Sequence, residues 1–336
     1  MTRRRLARAG LGLVIAGAVL WIAEIACRLA GLGTAYQADA IGGWRMMPEM
    51  RAQTITGTKE AHRFVVTTNR DGLRTSLPRA RTPGVARVAV MGDSTVFGWG
   101  ADEGGTVADG IAAGLAARGI AAEVLNAGQP GYTTTQVATF FRDVVAAYRP
   151  DAVVVFLPMH DDNRVLVSDR EHLDGARGPA ATVRVALATH SRVYQALRQA
   201  IFPLAAEPFL VPGMQRSAEP RVPRVSDAER DENMDGMRAI LAEWGGVLAV
   251  GHLPFLDDLR GRSFPRFTTA WADAYAARTG TPIVDLRACC ASPDAEALVL
   301  PYDRGHLTAE GNVVVGRAAA EPVSALLTGA IAASRR

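Results

Sequence analysis

The stretch Arg87-Val-Ala-Val-Met-Gly-Asp-Ser-Thr-Val-Phe-Gly98 decides how the rest of the chain is read. Val88 to Met91 is a short apolar run, too brief for a helix and flanked by turn-forming residues. That is the pattern of a buried strand. It stops at Gly92-Asp93-Ser94. A strand that ends in Gly-Asp and hands a Ser to the next turn puts a hydroxyl at the carboxyl edge of a sheet, where ligands bind in open α/β sheets. Such a hydroxyl becomes a nucleophile only if other parts of the chain supply a base, an orienting group and oxyanion donors.

Downstream of Ser94, apolar and amphipathic segments alternate. Val107 to Arg118 reads as a helix and Ala122 to Asn126 as a strand. Gln136 to Tyr148 is amphipathic and is stopped by Pro150. Ala152 to Leu157 is a near-continuous Val run, a strand buried on both faces. Helices follow at Ala228 to Glu243 and Phe267 to Thr279, with strands at Gly246 to Gly251 and Pro282 to Leu286. A last helix spans Thr308 to Leu327, with Thr308 as its N-cap. About five strands alternating with helices predict an α/β fold, a three-layer α/β/α sandwich around a parallel sheet. Arg164 to Val225, rich in Pro and Arg, interrupts the pattern and holds one clear helix, about Arg192 to Phe202. It reads either as a surface insertion or as a lid that shapes the substrate site.

Upstream, Ala35 to Glu60 reads as a linker. His62 to Thr68 is a strand running into the turn Asn69-Arg-Asp-Gly-Leu-Arg74. At the start of the chain, Arg3, Arg4, Arg5 and Arg8 precede an uncharged run from Ala9 to Ala23. A basic cluster before an apolar stretch is a signal or signal-anchor pattern. The run reaches spanning length when continued through Glu24 and Arg28, which pair at i, i+4 on one helical face. The reading is an uncleaved anchor with the remainder outside the cytoplasm, periplasmic or on the outer face. Cleavage at Gly33-Thr-Ala35 or Ala38-Asp-Ala40 would instead yield a secreted protein.

Composition narrows the function. Of 336 residues, 49% are hydrophobic and 21% charged, which is globular rather than disordered. A net charge of +3, with 6% aromatic residues and no basic stripe, excludes a nucleic-acid partner. The three Cys, at 27, 289 and 290, are too few for a disulfide framework and read as small buried apolar residues.

The base and orienter appear in Pro301-Tyr-Asp303-Arg-Gly-His306-Leu-Thr308, read as a loop that opens the last helix. A tight turn over Asp-x-x-His lets the carboxylate accept from His306 Nδ1–H and leaves Nε2 to take the Ser94 proton. His160, Asp161, Asp162, Asp303 and His306 are also residue types that ligate zinc or manganese. Nothing in their spacing requires a metal, and Gly-Asp-Ser would then be unexplained. His252 follows a strand and reads equally as a pocket residue or an ordinary strand-end His. Trp99 borders the acyl site or packs in the core. His62, His172 and His190 carry no partner pattern.

Gly-Asp-Ser after the first core strand and Asp-x-x-His before the last helix resemble the SGNH, or GDSL, serine hydrolases. Asn126-Ala-Gly-Gln-Pro-Gly131-Tyr-Thr is similar to the family's second block. Pro150-Asp-Ala-Val-Val-Val-Phe-Leu-Pro-Met-His-Asp161 falls where the family has a strand followed by Gly-x-Asn-Asp. The resemblance covers roughly residues 85 to 327 and extends to the anchor and the Asn69 turn of membrane-anchored bacterial members. It implies Ser94 as nucleophile, His306 as base and Asp303 as orienter, with oxyanion donors from the Ser94 and Gly131 N–H groups. The third block departs from the pattern: Pro158 stands at the family Gly and His160 at the family Asn, the third donor.

The expected organisation is a basic tail at 1–8, a transmembrane anchor at 9–32, a linker with a strand and turn at 33–84, and a hydrolase domain at 85–330 with an insertion at 164–225. The expected activity is cleavage of an acyl or acetyl ester, on a glycan or lipid, with no cofactor and no metal. Two alternatives stay open: an O-acyltransferase using the same three residues on envelope glycans, and a non-catalytic binding module of the same fold.

Overall fold

The computed structural model describes residues 3–30, 36–39, 43–56, 63–165, 168–175, 179–201, 222–262 and 266–334. Phe202, His62, the His172 side chain, and the small-residue positions 33–35 and 40 lie outside them.

Helix α1 (Arg3–Leu29) comes first, then two antiparallel ladders: β1 (Tyr36–Asp39) with β2 (Gly43–Met46), and β3 (Gln53–Thr56) with β4 (Arg63–Val66). The segment read as a linker is therefore partly structured. The quoted stretch forms β5 (Ala86–Gly92) and a one-turn helix α2 (Ser94–Phe97). Next come α3 (Val107–Ala117), β6 (Ala122–Gly128), α4 (Thr134–Asp143) and β7 (Ala152–Phe156). The insertion contributes β8 (Arg164–Val165), α5 (Asp169–Gly175), α6 (Pro179–His190), α7 (Arg192–Ile201) and β9 (Val222–Pro223). The chain then adds α8 (Asp227–Ala242), β10 (Val247–His252), α9 (Leu256–Leu259), α10 (Phe267–Thr279) and β11 (Ile283–Asp285). It closes with β12 (Val299–Leu300), β13 (Asp303–Leu307) and α11 (Ala309–Ser334).

The central sheet has five parallel strands in the order β11-β10-β7-β5-β6. Its middle strands are apolar on both faces because both faces are covered. Val88 and Val90 of β5, with Val154 and Phe156 of β7, meet α3 and α11 through Ile111, Leu115, Val315 and Val323. Ala89, Met91, Val153 and Val155 point the other way, onto Phe140 and Phe141 of α4, Met237 of α8 and Tyr275 of α10. This is the period-two pattern of a strand serving two cores, and it gives the expected three-layer α/β/α sandwich.

Within α1, Arg8–Leu29 contains an 18-residue window with a mean hydropathy of 2.1. This is the one helix among the described residues long and apolar enough to cross a membrane. Its far end touches the insertion. The Glu24 carboxylate accepts from Arg192 N, Val193 N and Ser191 Oγ, capping α7, and Arg28 donates to His190 O at 2.8 Å. Glu24 and Arg28 also pair at 2.8 Å. The cysteines differ from expectation. Cys289 is exposed, and Cys27 and Cys290 are half-buried, with Cys290 only flanking the core.

Candidate active site

Gly92 is required by crowding at the end of β5. A Cβ there would stand 2.6 Å from Val96 Cγ2 and 2.7 Å from Phe156 O, closer than real Cβ contacts come. Asp93 then ties the turn together. Its Oδ1 accepts from Thr95 N at 2.9 Å and Thr95 Oγ1 at 2.7 Å, capping α2, and its Oδ2 accepts from Met159 N at 3.2 Å. The carboxylate thus links the carboxyl ends of β5 and β7 and fixes Ser94 at the first helical position, where its N–H has no partner within the helix.

His306 and Asp303 lie on β13, not in the loop read from sequence. They sit on a hairpin strand whose Leu307 side chain is buried in the core. Thr308 caps the following helix, its Oγ1 accepting from Gly311 N at 3.1 Å. The hairpin brings His306 Nε2 to 2.7 Å from Ser94 Oγ, and His306 Nδ1 to 2.6 Å from Asp303 Oδ2. Asp303 Oδ1 accepts from Gly305 N at 2.9 Å, so the carboxylate is held on both oxygens. Ser94 is buried and His306 is 15% exposed. An imidazole bonded on one side to a carboxylate and on the other to a hydroxyl can receive the hydroxyl proton while its positive charge is stabilised.

Gly131 sits in the loop after β6 with φ +78°, a left-handed backbone that Gly adopts without strain. That loop is held from two directions that the sequence reading missed. From the N-terminal segment, Trp44 Nε1 donates to Pro130 O at 2.9 Å, Met46 N donates to Gln129 Oε1 at 2.8 Å, and Tyr132 Oη donates to Trp44 O at 2.6 Å. From the insertion, buried Arg224 donates to Gly131 O at 3.3 Å and to both oxygens of Asp169, whose Oδ2 also accepts from Thr133 Oγ1. Arg74, at the end of the Asn69 turn, is likewise buried. It donates to the carbonyls of Val65, Phe97, Gly98 and Ala101, bracing α2 and the turn after it.

His160 lies in the turn after β7, its Nε2 3.7 Å from Asp93 Oδ2 and its Nδ1 3.4 Å from Asn163 Nδ2. Burial lowers its pKa below the ordinary imidazole value. The Asp93 carboxylate pulls the other way, and Arg224 and His306 add to the lowering. The ring is therefore neutral near pH 7. When the Asn163 amide donates to Nδ1, the ring proton sits on Nε2.

Asp161 does not join a metal set. Its Oδ1 accepts from Thr134 N, and its Oδ2 accepts from Thr134 Oγ1 and Arg230 Nε. Among the described residues no group of three or more His, Cys, Asp or Glu is arranged to hold a metal ion. Trp99 packs edge-to-face on Phe64 at 5.1 Å. His190 serves through its carbonyl, under Arg28. His252, at the end of β10, is 3% exposed and lines a cavity beside Asp93 and Thr95.

A family profile described as GDSL-like lipase/acylhydrolase matches residues 90–314, more than half of the chain. The chain belongs to that family. No curated protein matched. Solved structures with a similar fold include a lipase/acylhydrolase from Enterococcus faecalis at 17% identity, covering 72% of this chain and 96% of that one with a TM-score of 0.42. An acetyl xylan esterase is similar at 14% identity, covering 70% of this chain and 99% of that one with a TM-score of 0.42. A GDSL-like lipase from Bacteroides thetaiotaomicron is similar at 15% identity, covering 74% and 93% with a TM-score of 0.40.

Proposed function

We propose that this protein is a serine esterase that cleaves acyl or acetyl esters through Ser94, His306 and Asp303. One observation carries the reading: the continuous relay from Asp303 Oδ2 through both ring nitrogens of His306 to Ser94 Oγ, at 2.6 and 2.7 Å. Ser94 Oγ attacks the ester carbonyl carbon, and its proton passes to His306 Nε2. The Ser94 and Gly131 N–H groups and His160 Nε2–H donate to the oxyanion. His306 then protonates the leaving alcohol, and the C–O bond of the ester breaks to give the acyl-enzyme. Water, deprotonated by the same imidazole, attacks the acyl carbon and releases the acid and Ser94.

The test is hydrolysis of p-nitrophenyl acetate by the detergent-solubilised full chain. The wild type is expected to hydrolyse it well above background. Replacing His160 by Asn keeps a neutral N–H donor, and the rate is expected to stay within about tenfold. Replacing it by Ala removes a donor and is expected to cost about 10²–10³ in rate. A wild type no faster than buffer refutes the esterase, and equal losses in both variants refute His160 as a donor.

The same reading places α1 in a membrane with Arg3, Arg4, Arg5 and Arg8 on the cytoplasmic side and the catalytic domain outside. Alkaline carbonate should leave the protein in the membrane pellet, and protease added to spheroplasts should digest it. Release into the supernatant, or protection from the protease, contradicts this placement.

A further inference from the structure

At the carboxyl ends of β5, β7 and β10 lies a cavity of about 30 Å³, lined by residues that include Asp93, Thr95, Phe156, Met159, His252 and Arg266. His252 Nε2 is buried and has no hydrogen-bond partner among the described residues. A buried polar atom left unpaired is costly and calls for an explanation such as strain, a functional role, or a bound water or other group that the protein atoms do not supply. We propose that this cavity receives a hydroxyl-bearing arm of the ester's alcohol part, recognised by His252 Nε2, so that the preferred substrates are esters of polyols or sugars. This rests on the esterase reading above and adds the substrate class.

Three observations choose the alcohol side, the size and the chemistry. First, the sheet order places β7 and β10 on one side of β5 and β6 on the other, so the cavity, walled by Asp93 and Thr95, and the Gly131 loop lie on opposite sides of the end of β5. The leaving oxygen must lie near His306, which protonates it. Met159, a wall of the cavity, reaches the His306 hairpin: a Cβ built on Gly305 would stand 3.6 Å from Met159 Cε. Second, the volume holds about two water-sized groups, enough for an arm of the size of a hydroxymethyl and too small for a long alkyl chain. Third, the charged walls are already engaged. Asp93 accepts from Thr95 and Met159, while Arg266 pairs with Asp258, donates to Leu253 O at 3.1 Å and stacks on the Phe255 ring at 4.0 Å. A carboxylate arm would meet Asp93, and an ammonium arm would meet Arg266. Burial pushes the His252 pKa down to about 4, against the pull of Asp285, so the ring is neutral at ordinary pH and suits an uncharged hydroxyl.

The experiment compares monoacetin with propyl acetate, which share an acyl group and differ in hydroxylation of the alcohol. Each enzymatic rate is divided by the alkaline rate of the same ester. The full-length wild type is expected to favour monoacetin in kcat/KM by about tenfold or more. His252→Leu should bring the ratio to within about twofold of unity, and His252→Gln, which keeps a hydrogen-bonding group, should retain part of it. The wild-type ratio and the Gln variant carry the test even if the Leu variant fails to fold. An unselective wild type, or a ratio unchanged in His252→Leu, would mean that the cavity holds only water and would overturn the proposal. A shift in acetyl-against-hexanoyl preference at constant alcohol preference would overturn it too, by making the cavity an acyl pocket. A wild type that hydrolyses no ester at all removes the esterase reading, and this inference with it.

Discussion

Replacing Ser94 by Ala is expected to lower kcat for p-nitrophenyl acetate by about 10⁴-fold or more. The nucleophile is lost outright, and only binding and oxyanion donors remain to assist attack by water. His306→Ala is expected to fall as far, since the 2.7 Å bond from Nε2 to Ser94 Oγ is the only base contact described for that hydroxyl. The double variant should be no slower than either single one, because groups acting on one proton do not contribute additively. Asp303→Asn should lose less than Ser94→Ala, because the imidazole still stands beside the hydroxyl while its tautomer and charge are no longer held by the carboxylate. A Ser94→Ala enzyme that keeps more than about one hundredth of the rate would be incompatible with this chemistry.

The second large effect is on stability. Arg230→Met should destabilise the fold by about 3–5 kcal/mol, because it strands Asp161. Both side chains are 0% exposed and meet at 2.9 Å. The guanidinium also reaches Asp227 at 2.6 Å and Asp162 at 3.2 Å and lies 5.3 Å from the Trp271 ring centroid. Asp227 is 80% exposed, so that contact is solvent-screened and adds little. The buried charge on Asp161 is what makes the change severe. At roughly 2–4 °C per kcal/mol for a domain of this size class, the melting temperature should fall by on the order of 10 °C. Adding Asp161→Leu to the variant should recover part of the loss, since removing both charges leaves no unpaired ion. A melting temperature within about 2 °C of wild type would show that the pair is not the anchor of α8 on the turn after β7.

These two variants probe different kinds of information. The Ser94 turn and the Asp-x-x-His pair were legible because each is a local pattern: a short apolar run, a turn residue and a helix cap leave their mark within a few positions. The Glu24–Arg28 pair on α1 was legible for the same reason, being set by helical periodicity alone. The role of Arg230 was not, because its partner Asp161 is distant in the chain and no periodicity links an Arg on one helix to an Asp after a strand.

The sequence by itself determined the alternation of strands and helices, the apolar N-terminal helix, and which three side chains carry the chemistry proposed for the site. Only the tertiary structure decided that Asp303 and His306 ride on a hairpin strand. It also revealed that the segment read as a linker, through Trp44 and Met46, holds the Gly131 loop, and that Arg74 at the end of the Asn69 turn braces α2. The burial of His160 beside Asp93, and the absence of a partner for His252 Nε2 among the described residues, came from the same source. The physical reason is common to all of them. Periodicity and capping are set by neighbours along the backbone, whereas hydrogen bonds between distant segments depend on how sheet order and helix packing fold those segments together.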